Sequence, residues 1–140
     1  GVAEPSLILT PPDKATEQDD GLLTASEIAQ LKLDAKWVVL SACNTAAGGA
    51  EGAEALSGLA RAFFYAGARA LLVTHWALDS AAGVKLTTTA FSALQRQPKL
   101  SQSEAMRQAM AALLKDDSVA NATHPAVWAA FALVGDGARQ

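Results

Sequence analysis

The sequence predicts an α/β fold with parallel strand pairing. An apolar run, Trp37-Val38-Val39-Leu40, ends in Ser41-Ala42-Cys43 and a small-residue loop, Asn44-Thr45-Ala46-Ala47-Gly48. Leu56, Leu59, Ala60, Phe63 and Phe64 then recur at helical spacing, and a second apolar run, Ala70-Leu71-Leu72-Val73, follows directly. Short continuous apolar runs read as strands buried on both faces. Strand, helix, strand is a βαβ unit, which implies parallel pairing through a right-handed crossover.

The remaining elements follow in chain order. Ser6–Leu9 reads as a short strand stopped by Pro11-Pro12, and Pro11–Gly21 is a polar, charged, proline-containing loop. Thr24-Ala25-Ser26-Glu27 fits a capping box, in which hydroxyl and carboxylate each satisfy an orphan backbone N–H, so a helix is predicted over Ala25–Leu31. The helix after the glycine loop runs over Glu51–Ala66 and stops at Gly67, a residue suited to a left-handed C-cap. Asp79 or Ser80 caps a helix carrying Val84, Leu86, Phe91 and Leu94, which Pro98 breaks. Ser101-Gln102-Ser103-Glu104 repeats the capping-box pattern before a helix over Ser103–Leu114. Asp116–Thr123 is a polar connection, His124-Pro125 opens a helical turn containing Trp128, and Phe131–Val134 is a last strand.

Composition narrows the function. Of 140 residues, 51% are hydrophobic and 18% charged, so the chain can bury a core. The net charge of −3 and the lack of a basic block argue against nucleic acid as a direct partner. The single cysteine cannot form an internal disulfide, and a free thiol suits a reducing compartment, so a cytoplasmic setting is expected. No apolar run is long enough to span a bilayer, and no membrane partner is expected. A Cys-x-x-Cys redox motif and a Gly-x-Ser-x-Gly elbow are both absent.

Cys43 is the candidate nucleophile. It follows a buried strand, where ligands and chemistry collect in open α/β sheets. A small buried hydrophobe is the competing reading of a lone cysteine. Asn44 and Gly48, in the loop after it, are candidate substrate contacts, glycine leaving room for a substrate backbone. A thiol nucleophile wants a histidine base, yet both histidines, His75 and His124, follow Cys43 in the chain. His75 ends the second strand and is a possible base or a rim residue, whereas His124 reads as a structural cap before Pro125. Trp76 is a packing residue or a pocket wall, and Asp79 is a helix cap or a pocket acid.

Leu40-Ser41-Ala42-Cys43-Asn44-Thr45-Ala46 resembles the nucleophile motif of the CHAT domains, caspase-like cysteine peptidases often fused to tetratricopeptide repeats. Gly21–Ile28, Gly58–Arg69, Trp76–Asp79 and His124–Phe131 resemble further family segments in order, so the likeness extends from about Ser6 to Gly135. The resemblance implies a caspase-like three-layer α/β/α sandwich with a mostly parallel sheet, and a cysteine endopeptidase acting on protein or peptide substrates through Cys43. It implies no metal or organic cofactor, and control by a fused or associated repeat or sensor region. The family's base histidine precedes the cysteine in a Thr-His-Gly-like turn that this chain does not contain. The expectation is therefore a single partial domain over residues 1–140, its first strands upstream of Gly1, with little activity by itself. A catalytically inactive binding or scaffold module is the rival. In the related separases, which cleave after a basic residue, an acid near the position of Asp79 pairs with that residue, so by analogy Asp79 lines the substrate pocket. A sheet cut in this way would present an unpaired edge, a site for self-association.

Overall fold

The computed structural model describes residues 4–16, 19–40 and 50–136. The elements are β1 (Ser6–Ile8), β2 (Leu22–Thr24), α1 (Ala25–Gln30), β3 (Val38–Leu40), α2 (Ala50–Tyr65), β4 (Ala70–Thr74), α3 (Ser80–Arg96), α4 (Gln102–Leu113), α5 (Pro125–Trp128) and β5 (Phe131–Gly135). β3, β4 and β5 form one sheet in that order, and β1 and β2 form a separate antiparallel pair.

Every residue of β4 is buried. Alternate side chains of a strand point to opposite faces, and here both faces are covered. Leu71 and Val73 pack with Ile28 of α1 and with Leu59, Ala62 and Phe63 of α2. Leu72 packs on the other side with Ala82, Leu86, Ala90 and Ala93 of α3 and with Ala105, Met106 and Ala109 of α4. This two-sided burial is why the run lacks polar alternation. Alanines at spacings of three and four let α3 and α4 approach each other closely. The buried face of α3 is thus mostly alanine. Val84 and Phe91, two of the apolar residues that this helix carries, are 62% and 49% exposed.

Pairing follows the sequence reading in one half of the sheet only. β3 lies parallel to β4, with Val38 opposite Leu71 and Leu40 opposite Val73. β5 lies antiparallel to β4, with Phe131 opposite Thr74 and Gly135 opposite Ala70. The sheet is therefore mixed, which corrects the expectation of a mostly parallel one. The cause is where the chain returns. The α5 turn is tied to the C-terminal end of β4 by His75 N–H donating to Ala130 O at 2.9 Å. β5 must start at that end and run back, because a parallel strand would need a crossover to the far end.

The caps show which local signals survive folding. Thr24 and Glu27 form the reciprocal capping box at α1. At α4, Ser101 Oγ accepts from Glu104 N–H at 3.3 Å, but the carboxylate of Glu104 turns to Arg107 and Gln108 instead of completing the box. The hydrogen bond from Arg107, then that from Gln108, holds this carboxyl at about 2. Beyond α2, Ala68 N–H donates to Phe63 O and Gly67 N–H to Phe64 O, with Gly67 at φ +99°. This is a Schellman ending, and it turns the chain sharply into β4. β2 was not foreseen, because three residues, Leu22–Thr24, are too few to show a period.

Two predictions follow from these contacts. Gly135 sits at φ +102°, and an added Cβ would lie 2.6 Å from the backbone oxygen of Arg69. At Gly67 an added Cβ would meet nothing closer than 3.2 Å. Both Gly→Ala changes place a side chain in the left-handed region, at about 1–2 kcal/mol. Gly135→Ala is expected to cost more than Gly67→Ala in urea unfolding, because it adds a backbone clash. The second concerns Asp116, which joins the segment after α4 to α3 through Lys85 at 2.7 Å. Lys85 and then Ser118 lower its carboxyl from 3.8 to about 2. A depressed folded value means that stability is present above the ordinary carboxylate range and lost as pH falls toward 2. NMR titration of Asp116 is expected to show a midpoint near 2 that rises in Lys85→Met.

Candidate functional site

Parallel neighbours end on the same edge of a sheet, and the C-terminal ends of β3 and β4 meet where Leu40 pairs with Val73. Beside this edge is a cleft of about 280 Å³, lined by Thr74, Trp76, Leu78, Asp79, Val84 and Phe131 among others. Its floor comes from the ends of β4 and β5, and one wall comes from the first two turns of α3. Gly83 belongs to that wall, and an added Cβ there would lie 3.3 Å from Leu78, so the small residue lets Leu78 lie against the helix.

Trp76 is 38% exposed, and its indole Nε1–H donates to Ala126 O at 2.8 Å. One face of the residue thus borders the cleft while its polar end holds α5 in place. Indole needs one acceptor, and the open carbonyl of a short helical turn provides it. Asp79 caps α3: Oδ1 accepts from Ala81 N–H at 3.0 Å and from Ala82 N–H at 3.1 Å. The same carboxylate lies in the cleft lining, so capping does not remove it from the site.

His75 is exposed and is not among the residues lining the cleft. Its ring centroid lies 6.3 Å from that of Trp76. His124 caps α5, with Nδ1 accepting from Ala126 N–H at 3.2 Å. Cys43, Asn44 and Gly48 lie outside the described residues. The structure therefore brings Trp76 and Asp79 to one cleft and leaves His75 off its lining. Thr74 is a site residue that sequence reading missed. It is a hydroxyl, 2% exposed, at the end of an otherwise apolar strand. The polar residue closing an apolar run was its only signal.

Among the described residues no group of three or more His, Cys, Asp or Glu side chains could hold a metal ion. Among them, too, no helix is long and apolar enough to cross a membrane.

Comparison with known proteins identifies the family of the chain. A family model described as "CHAT domain" matches residues 2–136. The chain is 36% identical over 114 residues to tetratricopeptide repeat protein 28 of Mus musculus, covering 81% of this chain and 4% of that protein. The Homo sapiens protein of the same name is 32% identical over 114 residues, again 81% of this chain and 4% of the relative. The chain thus spans a small part of the length of the curated relatives it matches. No solved structure matches.

Asp79 can be tested as a cap separately from its charge. Asp79→Ala is expected to destabilise the chain by about 1 kcal/mol in urea unfolding, whereas Asp79→Asn, which also caps, should lose about half of that or less.

Proposed function

This chain belongs to the CHAT-domain family, and from that premise we propose that it is the nucleophile-bearing part of a caspase-like cysteine endopeptidase. One observation carries the reading: the parallel β3–β4 pair, whose C-terminal ends open beside the cleft lined by Trp76 and Asp79. Cys43 follows Leu40, the last residue of β3, by three residues.

In this mechanism the Cys43 thiolate attacks the carbonyl carbon of a peptide bond. Backbone N–H groups receive the oxyanion, the C–N bond breaks, and the leaving amine takes up a proton from the protonated base. The thioester acyl-enzyme is then hydrolysed by water, which restores the thiol. The cleft forms part of the substrate pocket, with Trp76 as an apolar wall and Asp79 as an acid that favours a basic side chain. Asn44 and Gly48 contact the substrate backbone near the nucleophile. The base, as the family resemblance implies, is a histidine outside these 140 residues; His75, exposed and off the cleft lining, is the rival. The three-layer sandwich is the fold that agrees with helices packed on both faces of the sheet. β3 has one strand neighbour among the described residues, and its other edge would accept an added strand from a companion segment or a second copy. The relatives are tetratricopeptide repeat proteins by name, and a repeat region is the expected regulator. A reducing, cytoplasmic setting agrees with a working thiol.

The test is thiol alkylation against pH, on this chain and on His75→Ala. The expected apparent pKa is near or above ~8.5, the value of free cysteine, and unchanged by the substitution. A value well below that, rising in His75→Ala, would make His75 the base. An arginyl acyloxymethyl ketone then tests the peptidase itself, in a polypeptide extended to include an upstream base histidine. Labelling of Cys43 is expected, and a folded domain left unlabelled would favour the binding module.

A further inference from the structure

Trp76 and Phe131 are the aromatic residues of the cleft, and both depend on the short turn α5. The Trp76 indole N–H donates to Ala126 O at 2.8 Å. Phe131 opens β5 directly after α5, which ends at Trp128. The position of α5 therefore shapes the cleft.

Ala126 is the joint of this arrangement, because both of its backbone groups are engaged by side chains. Its C=O accepts from Trp76, and its N–H donates to His124 Nδ1 at 3.2 Å. The other first-turn positions make no such demand: Pro125 has no N–H, and Val127 N–H donates to His124 O at 2.9 Å. A turn this short has little stability by itself, so its cap matters more than the cap of a long helix. Serine, threonine, aspartate and asparagine are the usual residues at such a position. Histidine differs from them in one respect, since it caps only when neutral. Nδ1 accepts here, so the ring proton sits on Nε2. An imidazolium has hydrogen on both nitrogens and no acceptor. Protonation would set a donor against Ala126 N–H, and the ring would have to turn away from it.

The elements around α5 carry several charged groups. α3, which packs against α5, has Lys85 and Arg96, and Lys85 is paired with Asp116. Asp117 lies in the connection before His124, Asp79 caps α3, and Asp136 follows β5. Histidine is the side chain that ordinarily changes charge between about pH 5 and 8. His75 is therefore the rival to be separated from His124, and its ring centroid lies 6.3 Å from that of Trp76.

We infer that His124 is a positioning residue of the cleft, which in its neutral form holds Trp76 in place through Ala126 and on protonation releases it. His124 is not among the residues lining the cleft, so it acts on a ligand only through Trp76. The consequence for substrate binding, a weaker grip in acid, rests on the reading of the cleft as a substrate pocket. The hold on Trp76 does not, and it is tested without Cys43.

The test follows four NMR observables of this chain from about pH 8 to about pH 5. They are the ring signals of His75 and of His124, the Trp76 indole N–H signal, and the NOEs from that N–H to the α5 backbone. The indole signal is expected to move upfield and the NOEs to weaken, with the midpoint of the His124 ring. His124→Asn keeps a capping side chain that does not titrate, and should hold both at their high-pH values throughout. His75→Asn should leave the transition in place. The inference is overturned if the indole signal and its NOEs stay constant while His124 titrates, or if they follow His75 instead. Those two outcomes need no variant. It is also overturned if the transition survives in His124→Asn.

Discussion

The two-sided burial of β4 is the constraint on which the other elements depend. A strand covered on both faces must supply apolar side chains in both directions, and Leu71, Leu72 and Val73 do so. Each face recruits its own helices, α1 and α2 on one side, α3 and α4 on the other. Burying one such side chain contributes about 1.5–3 kcal/mol. The strand and its two helical layers therefore form or fail together, and β3 and β5, its two neighbours, take their register from it.

That constraint also locates the cleft. β4 cannot host chemistry along its buried length, so side chains become available only where it ends. Thr74 is still buried, Trp76 is half out, and Asp79 is exposed at the start of α3. The carboxylate must cap α3 because the first N–H groups of a helix lack internal partners. A residue fixed in that way is also held rigidly at the cleft, with no separate scaffold required. Trp76 follows the same logic: its N–H holds α5, and α5 sets where β5 begins. Structural tasks and the cleft lining fall on the same side chains because the end of β4 is crowded.

The surface outside α3 departs from a simple amphipathic reading. Its inner stripe is alanine with Leu86, while Val84 and Phe91 lie outward. Val84 borders the cleft and Phe91 meets Trp37.

Much of the architecture was legible in the order of residues. The apolar runs over Val38–Leu40 and Ala70–Val73, the capping box at Thr24 and Glu27, Gly67 after α2, Asp79 before α3 and His124-Pro125 before α5 are local signals. Local chemistry alone fixes their outcome, and the structure shows each of them. The candidate thiol, Cys43, was read from its place after an apolar run, and it lies outside the described residues. What depends on distant parts of the chain was not legible. The direction of β5 was set by where α5 docks, which rests on a contact between Trp76 and Ala126. The side chain of Glu104 had two local uses, and the placement of Arg107 and Gln108 decided between them. The exposure of Val84 and Phe91 was decided by how closely alanines let α3 approach α4. Sequence alone determined which helices form and where they stop, because those are questions of nearest neighbours. Tertiary structure alone decided which face each element buries, because that depends on what packing brings against it.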